Sequence, residues 1–353
     1  MNINILQPGT AAALAAALLF GAGTPLAKLL LIQTNPWLLA ALLYLGSGLG
    51  LGLLRLLRNA PSAHLAPGEW RWLGGAIVCG GVAAPVLLMT GLAAMPASGA
   101  ALLLNAEGVL TALLAWFAFK ENFDRRIALG MLAIAAGAVV LSWPSRGSVE
   151  FASLWPTLAV LGACLGWAID NNLTRKVALS DASWIAMVKG LVAGVTNLVL
   201  AFSLGAVWPD VVSVVGAAAI GFFSYGISLV LFVLALRHLG TARTGAYFSV
   251  APFFGALLAL LLLKEPLTPG LLAGGVLMAV GVALHLTERH LHEHTHALLD
   301  HRHEHTHGVN ELHHTHVHPE PVTPGTRHTH AHHHAPTTHV HAHFPDAHHQ
   351  HQH

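Results

Sequence analysis

Residues 241–266 read TARTGAYFSVAPFFGALLALLLLKEP, and the rest of the chain is best understood from this stretch. It begins with small polar residues, has Pro252 near its centre and ends abruptly at Lys264-Glu265-Pro266. The eighteen residues from Ala246 to Leu263 carry no charge. Because about 20 residues at a rise of ~1.5 Å cross the ~30 Å hydrocarbon core of a bilayer, the stretch predicts a membrane-spanning helix.

The same design occurs once earlier, in residues 98–121, which read SGAALLLNAEGVLTALLAWFAFKE. Shifted forward by 144 positions, this stretch aligns with residues 242–265 without a gap. The shift places Lys120-Glu121 on Lys264-Glu265, and charged residues are only 9% of the chain, so this match is more informative than the accompanying match of Ala and Leu. The alignment indicates an internal duplication, which is the usual architecture of secondary transporters.

These two stretches, together with Phe20-Gly21-Ala22-Gly23-Thr24-Pro25 and Lys28 in the first apolar run, resemble the EamA-type drug/metabolite transporter (DMT) superfamily. The resemblance covers about residues 10–287 and implies secondary transport without indicating the substrate. The chain departs from the Glu-Pro pair usual in that family. Its first repeat has Glu107-Gly108 and its second has Ala251-Pro252, so each half keeps one member of the pair.

Composition independently predicts an integral membrane protein, because 54% of residues are hydrophobic and 9% are charged, against about 25% charged in soluble domains. The predicted fold is an all-α bundle of ten transmembrane helices, arranged as two inverted five-helix repeats. The spans are predicted at 10–32, 37–54, 72–93, 97–119, 127–143, 152–170, 183–205, 212–236, 241–263 and 269–287. The predicted domains are a short N-terminal segment (1–9), the first repeat (10–143), a linker (144–151), the second repeat (152–287) and a disordered, His-rich cytoplasmic tail (288–353).

Basic residues predict the orientation of the chain in the cytoplasmic membrane. With the N-terminus inside, ten Lys or Arg residues fall in inner loops and two in outer loops, a strong positive-inside bias. The inner set is Arg55, Arg58, Arg71, Lys120, Arg125, Arg126, Arg175, Lys176, Arg237 and Arg243, and the outer set is Arg146 and Lys264. Both termini are therefore expected in the cytoplasm. The first 27 residues contain no Lys or Arg, so the first span is expected to be retained rather than cleaved as a signal peptide.

Ionisable side chains inside apolar spans are the candidates for function, since they are costly in hydrocarbon unless they face a cavity or one another. Glu107 lies near the middle of the fourth span and is interpreted as a group that binds substrate or a coupled proton. Lys28 is its predicted counter-charge, with snorkelling to the outer interface as the alternative. For Asp170 and Lys189 a structural pair or interfacial anchoring is favoured.

Uncharged polar groups and prolines complete the predicted site. The candidate substrate ligands are Asn105, Asn171, Asn172, Tyr225 and Tyr247. Interhelical hydrogen bonding is the commoner role of such groups in membranes. Helix kinks are predicted at Pro25, Pro85 and Pro252. Carbonyl groups freed beside such kinks are typical of the binding sites of transporters.

The tail is chemically unlike the spans, because 25 of the 27 histidines lie from His285 onward. The motif His-x-His-Glu-His-Thr-His occurs twice, and neutral imidazole suits Zn, Ni, Co and Cu ions. The candidate metal ligands are His290, His292, His294, His296, His301, His303, His305 and His307. The alternative is a tolerated low-complexity tail without a metal in vivo.

The sequence thus predicts a secondary transporter of a small amino-acid- or drug-like metabolite, with export the expected direction and alternating access the mechanism. The alternatives are a divalent transition-metal (Ni/Co/Zn) transporter and a metal-responsive membrane sensor, both using the tail. No P-loop, GxSxG, HExxH or CxxC motif occurs, so neither an enzyme nor a required cofactor is expected. The oligomeric state is not predicted, and no nucleic-acid partner is expected.

Overall fold

The computed structural model describes residues 8–60, 65, 68–119, 125–143, 151–177, 180–239, 244 and 247–286, and within the tail 291–296, 299–306, 327–334 and 337–342. Two compact units follow one another along the chain, residues 1–288 and residues 289–353. The described part of the first unit is helical throughout its regular elements. The described elements of the second unit are strands.

The helices of the first unit are α1 (Pro8–Leu30), α2 (Pro36–Leu57), α3 (Trp70–Ala76), α4 (Ala84–Ala93), α5 (Ala97–Leu103), α6 (Asn105–Phe119), α7 (Arg125–Ser142), α8 (Phe151–Thr174), α9 (Ala182–Ser203), α10 (Val211–Ile220), α11 (Ser228–Leu239), α12 (Ala251–Leu262) and α13 (Pro269–Leu286). A 3₁₀ turn, Arg175–Val177, follows α8. Two π-helical segments join neighbouring helices: the first π segment, Ile77–Ala83, joins α3 to α4, and the second π segment, Gly221–Ile227, joins α10 to α11.

Six helical stretches in the described part are long and apolar enough to cross a membrane, and shorter apolar helices accompany them. The six are Gly9–Leu30, Pro36–Leu57, Trp70–Ala93, Ala97–Leu114, Ala182–Ser203 and Val211–Phe232. Their outward faces carry exposed Leu, Val and Phe side chains, among them Leu53, Val199 and Phe223. This is the pattern of helices that contact lipid on one side and pack on the other. The helical, membrane-spanning fold class is therefore confirmed.

The helix pairs repeat between the two halves of the chain. Helix α2 packs against α9, and α7 packs against α13. Helix α1 packs against α11 and α12, and its counterpart α8 packs against α4 and α6. The two π segments also correspond, because adding 144 to both bounds of the first gives the bounds of the second. This is the interval that separates the two sequence repeats.

Close backbone approach explains the glycines of the α2–α9 interface. A Cβ atom at Gly48 would lie 2.6 Å from the Leu191 backbone nitrogen, and one at Gly190 would lie 2.7 Å from the Gly48 nitrogen. Neither position has room for a side chain. Small residues at such crossings let two helices gain dispersion energy where water provides no hydrophobic drive.

Local signals set several helix ends. The side chain of Asn35 accepts a hydrogen bond from the Trp37 amide, with Pro36 at the start of α2. Asp181 and Asp210 cap α9 and α10 in the same way, because their carboxylates accept from the first free amides of each helix. Gly205, at φ 82°, lies in the turn after α9.

The tail unit contains four short antiparallel strands in its described residues. They are β1 (Leu291–His296), β2 (Leu299–Thr306), β3 (Arg327–His334) and β4 (Thr337–Ala342), and β1 pairs with β4 while β2 pairs with β3. Histidine alternates with other residues along much of these segments, and a period of two suits an extended strand. The disorder expected for the tail as a whole stays a prediction.

Candidate functional site

Glu107 lies halfway along the helical stretch formed by α5 and α6, just after a break at Leu104. The amide of Asn105 contributes to this break, because its Nδ2 donates to the Leu102 carbonyl at 2.9 Å. Asn171 on α8 donates from Nδ2 to Glu107 Oε1 at 2.9 Å, and its contact with Thr111 Oγ1 is 3.4 Å. The structure thus brings together two predicted site residues, Glu107 and Asn171.

A buried ion pair lies one residue from Asn171. Lys189 Nζ on α9 is 2.5 Å and 2.6 Å from the two carboxylate oxygens of Asp170, and Thr174 Oγ1 donates to Asp170 Oδ1 at 2.8 Å. The Asp170 side chain is 7% exposed, so the pair is largely removed from water. The favoured interpretation of these two residues as a structural pair agrees with this geometry.

The first π segment has carbonyl groups that the helix itself cannot satisfy. Ala84 N–H bonds to the Cys79 carbonyl, and Pro85, the next residue, has no N–H to give to Gly80 or Gly81. Other helices supply the donors. Tyr44 Oη and Trp167 Nε1 donate to the Gly80 carbonyl at 2.7 Å and 2.9 Å.

The neighbouring Gly81 carbonyl accepts from Asn197 Nδ2 at 3.1 Å. The first π segment is therefore tied to α2, α8 and α9 by side-chain donors.

Aromatic rings join this region to the second π segment. The Tyr225 ring centroid is 5.7 Å from that of Tyr44 and 5.9 Å from that of Phe20. Phe20 in turn contacts Phe248 at 5.4 Å. Asp170 also borders this region, because a Cβ atom added at Gly80, whose carbonyl accepts from Tyr44, would lie 2.0 Å from Asp170 Oδ2. The carboxylates, the rings and both π segments thus form one central region.

Lys28 lies elsewhere, at one end of α4. Its Nζ donates to the carbonyls of Leu92, Ala93 and Met95 at 2.6 Å, 3.0 Å and 3.0 Å, which uses all three ammonium hydrogens. Nearby, the Glu265 carboxylate accepts from the amides of Ala97 and Ser98 at the start of α5. These groups cap helix ends, and the structure does not bring Lys28 to Glu107.

The EamA-like transporter family model matches the chain twice, over residues 7–143 and over residues 154–287. The chain belongs to the EamA-like transporter family. It is 28% identical over 287 residues to an uncharacterized transporter of Methanothermobacter thermautotrophicus, a match that covers 76% of this chain and 82% of that protein.

Probable amino-acid metabolite efflux pumps of Salmonella typhimurium and Escherichia coli are 24% and 26% identical over 204 residues. These matches cover 54% of this chain and 68% of each pump. A solved crystal structure shares the fold at a TM-score of 0.60 and 20% identity, covering 78% of this chain and 98% of that one.

The remaining predicted ligands of this EamA-like protein have ordinary packing contacts. Asn172 donates to the Thr111 and Ala168 carbonyls, and Asn105 is also 3.9 Å from Met278 Sδ. Tyr247 packs against the small cluster around Ala12 and Ala13. These contacts fit the interhelical role that was the alternative for such residues.

The predicted prolines fall in three different settings. Pro25 is inside α1, Pro85 follows the first π segment, and Pro252 stands in the first turn of α12 rather than inside a continuous helix. A proline is tolerated in a first turn because the N–H it lacks would have no partner there.

The metal ligands predicted in the tail cannot be placed by their side chains. His290 and His307 lie outside the described residues, and for the other six only the strand backbone is described. Among the side chains that the structure describes, no group of three or more His, Cys, Asp or Glu could hold a metal ion.

Sequence reasoning missed Tyr44, Trp167 and Asn197, the donors to the first π segment. The sequence does contain a signal for the unpaired carbonyls of this segment, although not for their donors. Pro85 follows Gly80-Gly81 at the spacing that leaves carbonyls unpaired, and a freed carbonyl in a membrane needs a donor from another helix. The identity of that donor depends on which helices meet there.

Proposed function

We propose that this EamA-like protein exports a small amino-acid- or drug-like solute across the cytoplasmic membrane by alternating access between two inverted five-helix repeats. The two family matches, one per half, and the repeated helix pairs support the repeat. Five spans per repeat, an odd number, would insert the halves in opposite senses, and the positive-inside bias supports a cytoplasmic location for both termini.

The observation that carries the proposal is the setting of Glu107. One carboxylate oxygen accepts from Asn171, and among the described residues no other group donates to Glu107. The neighbouring Asp170 is already paired with Lys189. A carboxylate without a cation partner inside a membrane bundle is costly, so a substrate or a proton is expected to complete it. The names of the pumps from Salmonella typhimurium and Escherichia coli support export as the direction.

Glu107→Gln tests this role. Gln keeps the size and the hydrogen bond from Asn171 but cannot take up or release a proton. A strain lacking the gene is screened for sensitivity to amino acids, their analogues and drugs, and then complemented. We expect the wild type to restore resistance to the active compound and Glu107→Gln to lose at least nine-tenths of it.

Glu265→Gln is the matched control, because that carboxylate caps α5. It is expected to lower stability and keep transport. Full export by Glu107→Gln from pH 5 to 8 would remove Glu107 from the mechanism.

We also propose that the tail binds divalent transition metals without taking part in transport. The strand register supports this, because it sets His301 opposite His332, His303 opposite His330 and His305 opposite His328. Directly opposed residues have Cβ atoms ~5 Å apart and share a face of the ladder. A metal transporter is less favoured, since the described side chains of the bundle offer no metal cluster.

Truncation after Arg289 separates tail from bundle. The shortened chain is expected to insert and export normally and to lose binding of Ni²⁺ and Zn²⁺, measured by calorimetry on the purified protein. Metal release should follow imidazole protonation as the pH falls through about 6. Loss of export by a stably expressed truncation would make the tail part of the transport mechanism.

A further inference from the structure

The two π segments differ in how their polar groups are satisfied. Gly80, in the first, has a carbonyl that accepts from Tyr44 and Trp167. Ser224 occupies the equivalent position in the second, 144 residues later. There the last π-type bond runs from the Ser228 amide to the Phe223 carbonyl, and α-helical pairing then resumes. A change from π-type to α-type bonding leaves one carbonyl without a backbone N–H partner, and here that carbonyl belongs to Ser224.

No side chain in the described part of the bundle supplies the missing donor. No described side chain donates to a carbonyl of the second π segment. The hydroxyl groups of Ser224 and Tyr225 also have no hydrogen-bond partner among the described residues. Ser224 is 3% exposed. A carbonyl left unpaired away from water costs about 1–3 kcal/mol, and two unpaired hydroxyl groups lie beside this one, so a ligand with hydrogen-bonding groups would complete the cluster.

The surroundings indicate the chemistry of that partner. Carbonyl and hydroxyl oxygens together accept several hydrogen bonds, which favours a ligand with several N–H donors. The charges in this region also favour a cation. Lys189 neutralises Asp170 and Lys28 caps a helix end, so Glu107 has no cation partner among the described side chains. The rings of Phe20, Tyr44 and Tyr225 lie beside these acceptors and provide an apolar surface that also attracts cations.

We propose that the second π segment binds the protonated amine of the transported solute, through the Ser224 carbonyl and the hydroxyl groups of Ser224 and Tyr225, with its apolar body against the rings of Phe20 and Tyr225. Glu107 supplies the balancing negative charge of the same central region. This inference rests on the proposed transport function and assigns its substrate class: amines with an apolar or aromatic body.

Direct binding tests the assignment without requiring transport. The full-length protein in nanodiscs is titrated by calorimetry with three probes of similar size: 2-phenylethylamine, 3-phenylpropionate and 2-phenylethanol. We expect the amine to bind at least tenfold more tightly than the acid or the alcohol. Ser224→Ala and Tyr225→Phe should each weaken amine binding about three- to tenfold, because each removes one hydrogen bond.

Ser228→Ala is the matched control, since this buried serine is four residues further along and donates to the Ala16 carbonyl. It should bind the amine within twofold of the wild type. Equal binding of the three probes, or unchanged amine binding by both Ser224→Ala and Tyr225→Phe, would overturn the assignment. If the wild type exports a solute without an amine and Glu107→Gln does not, transport stands and this substrate class is rejected.

Discussion

The first π segment, Ile77–Ala83, accepts hydrogen bonds from side chains of other helices. The second π segment, Gly221–Ile227, occupies the equivalent position in the other half of the chain, yet no side chain of the described bundle donates to it. The difference follows from individual residues. Trp167, which donates to Gly80, corresponds to Gly23 in the other half, and Gly23 faces Ser224. Duplication therefore left the same backbone distortion twice, and substitution made one copy a structural anchor and the other available to a ligand.

The largest effect that would sharpen this comparison is expected from Gly80→Ala. The new Cβ atom would lie 2.0 Å from Asp170 Oδ2 and 2.4 Å from its Cγ, so the carboxylate paired with Lys189 must move. Overpacking and disturbance of a buried pair are expected to cost on the order of 3 kcal/mol. The measurement is thermal unfolding in detergent.

Gly108→Ala provides the control for Gly80→Ala, because a Cβ atom there meets nothing within 4 Å. It should be neutral or slightly stabilising, since alanine favours a helix by about 1 kcal/mol. Equal melting temperatures for the two variants would show that the first π segment is not rigidly packed.

A smaller effect is expected from removing the donors to Gly80. Trp167→Phe or Tyr44→Phe alone leaves the carbonyl with one donor and should cost about 1 kcal/mol, while the double variant leaves it with none. The free energy of unfolding should therefore fall by more in the double variant than the sum of its decreases in the two single variants. Trp155→Phe, at a half-exposed position of α8, is the control. Strict additivity would mean that the two donors do not share this acceptor.

Lys28→Met addresses whether the central region extends to the helix end near Glu265. Three carbonyls at the end of α4 would lose their donor, which is expected to cost about 1–2 kcal/mol. Export and its pH dependence should be unchanged, as measured with the resistance assay at several pH values. Loss of export without loss of stability would instead place Lys28 with Glu107, as the sequence alone suggested.

The smallest effect is expected at Asp181, which lies away from both π segments. Partial burial would raise the pKa of Asp181, but hydrogen bonds from Arg55 and Ser183 and the charge of Arg55 outweigh this and lower it. A lowered pKa gives stability above the ordinary pKa of about 4 and loses it as pH falls through the folded value.

Asp181→Asn keeps the helix cap and removes the ion pair with Arg55. It should melt slightly below the wild type at pH 7, and the difference should vanish towards pH 3. Asp210→Asn, at an exposed cap, is the comparison. A difference that persists at pH 3 would assign the effect to capping rather than to charge.

Much of the fold could be predicted because hydrocarbon imposes a simple requirement on sequence. Long runs without charge can only be helices in a bilayer, and the 144-residue repeat follows from the alignment of two such runs. Glu107 and Asn171 could be singled out for the same reason, since polar groups in those runs are rare. Their direct contact could not, because α6 and α8 come together only through packing between the two halves.

The sequence by itself determined the family, the helical membrane class and the short set of residues able to carry charge inside it. Tertiary structure decided what each of these does. Lys28 and Glu107 are both ionisable residues in apolar runs, yet Lys28 meets the free carbonyls of a helix end and Glu107 meets the side-chain amide of Asn171. The reason is that the role of a polar group in a membrane depends on its nearest partner, and that partner comes from a helix distant in sequence.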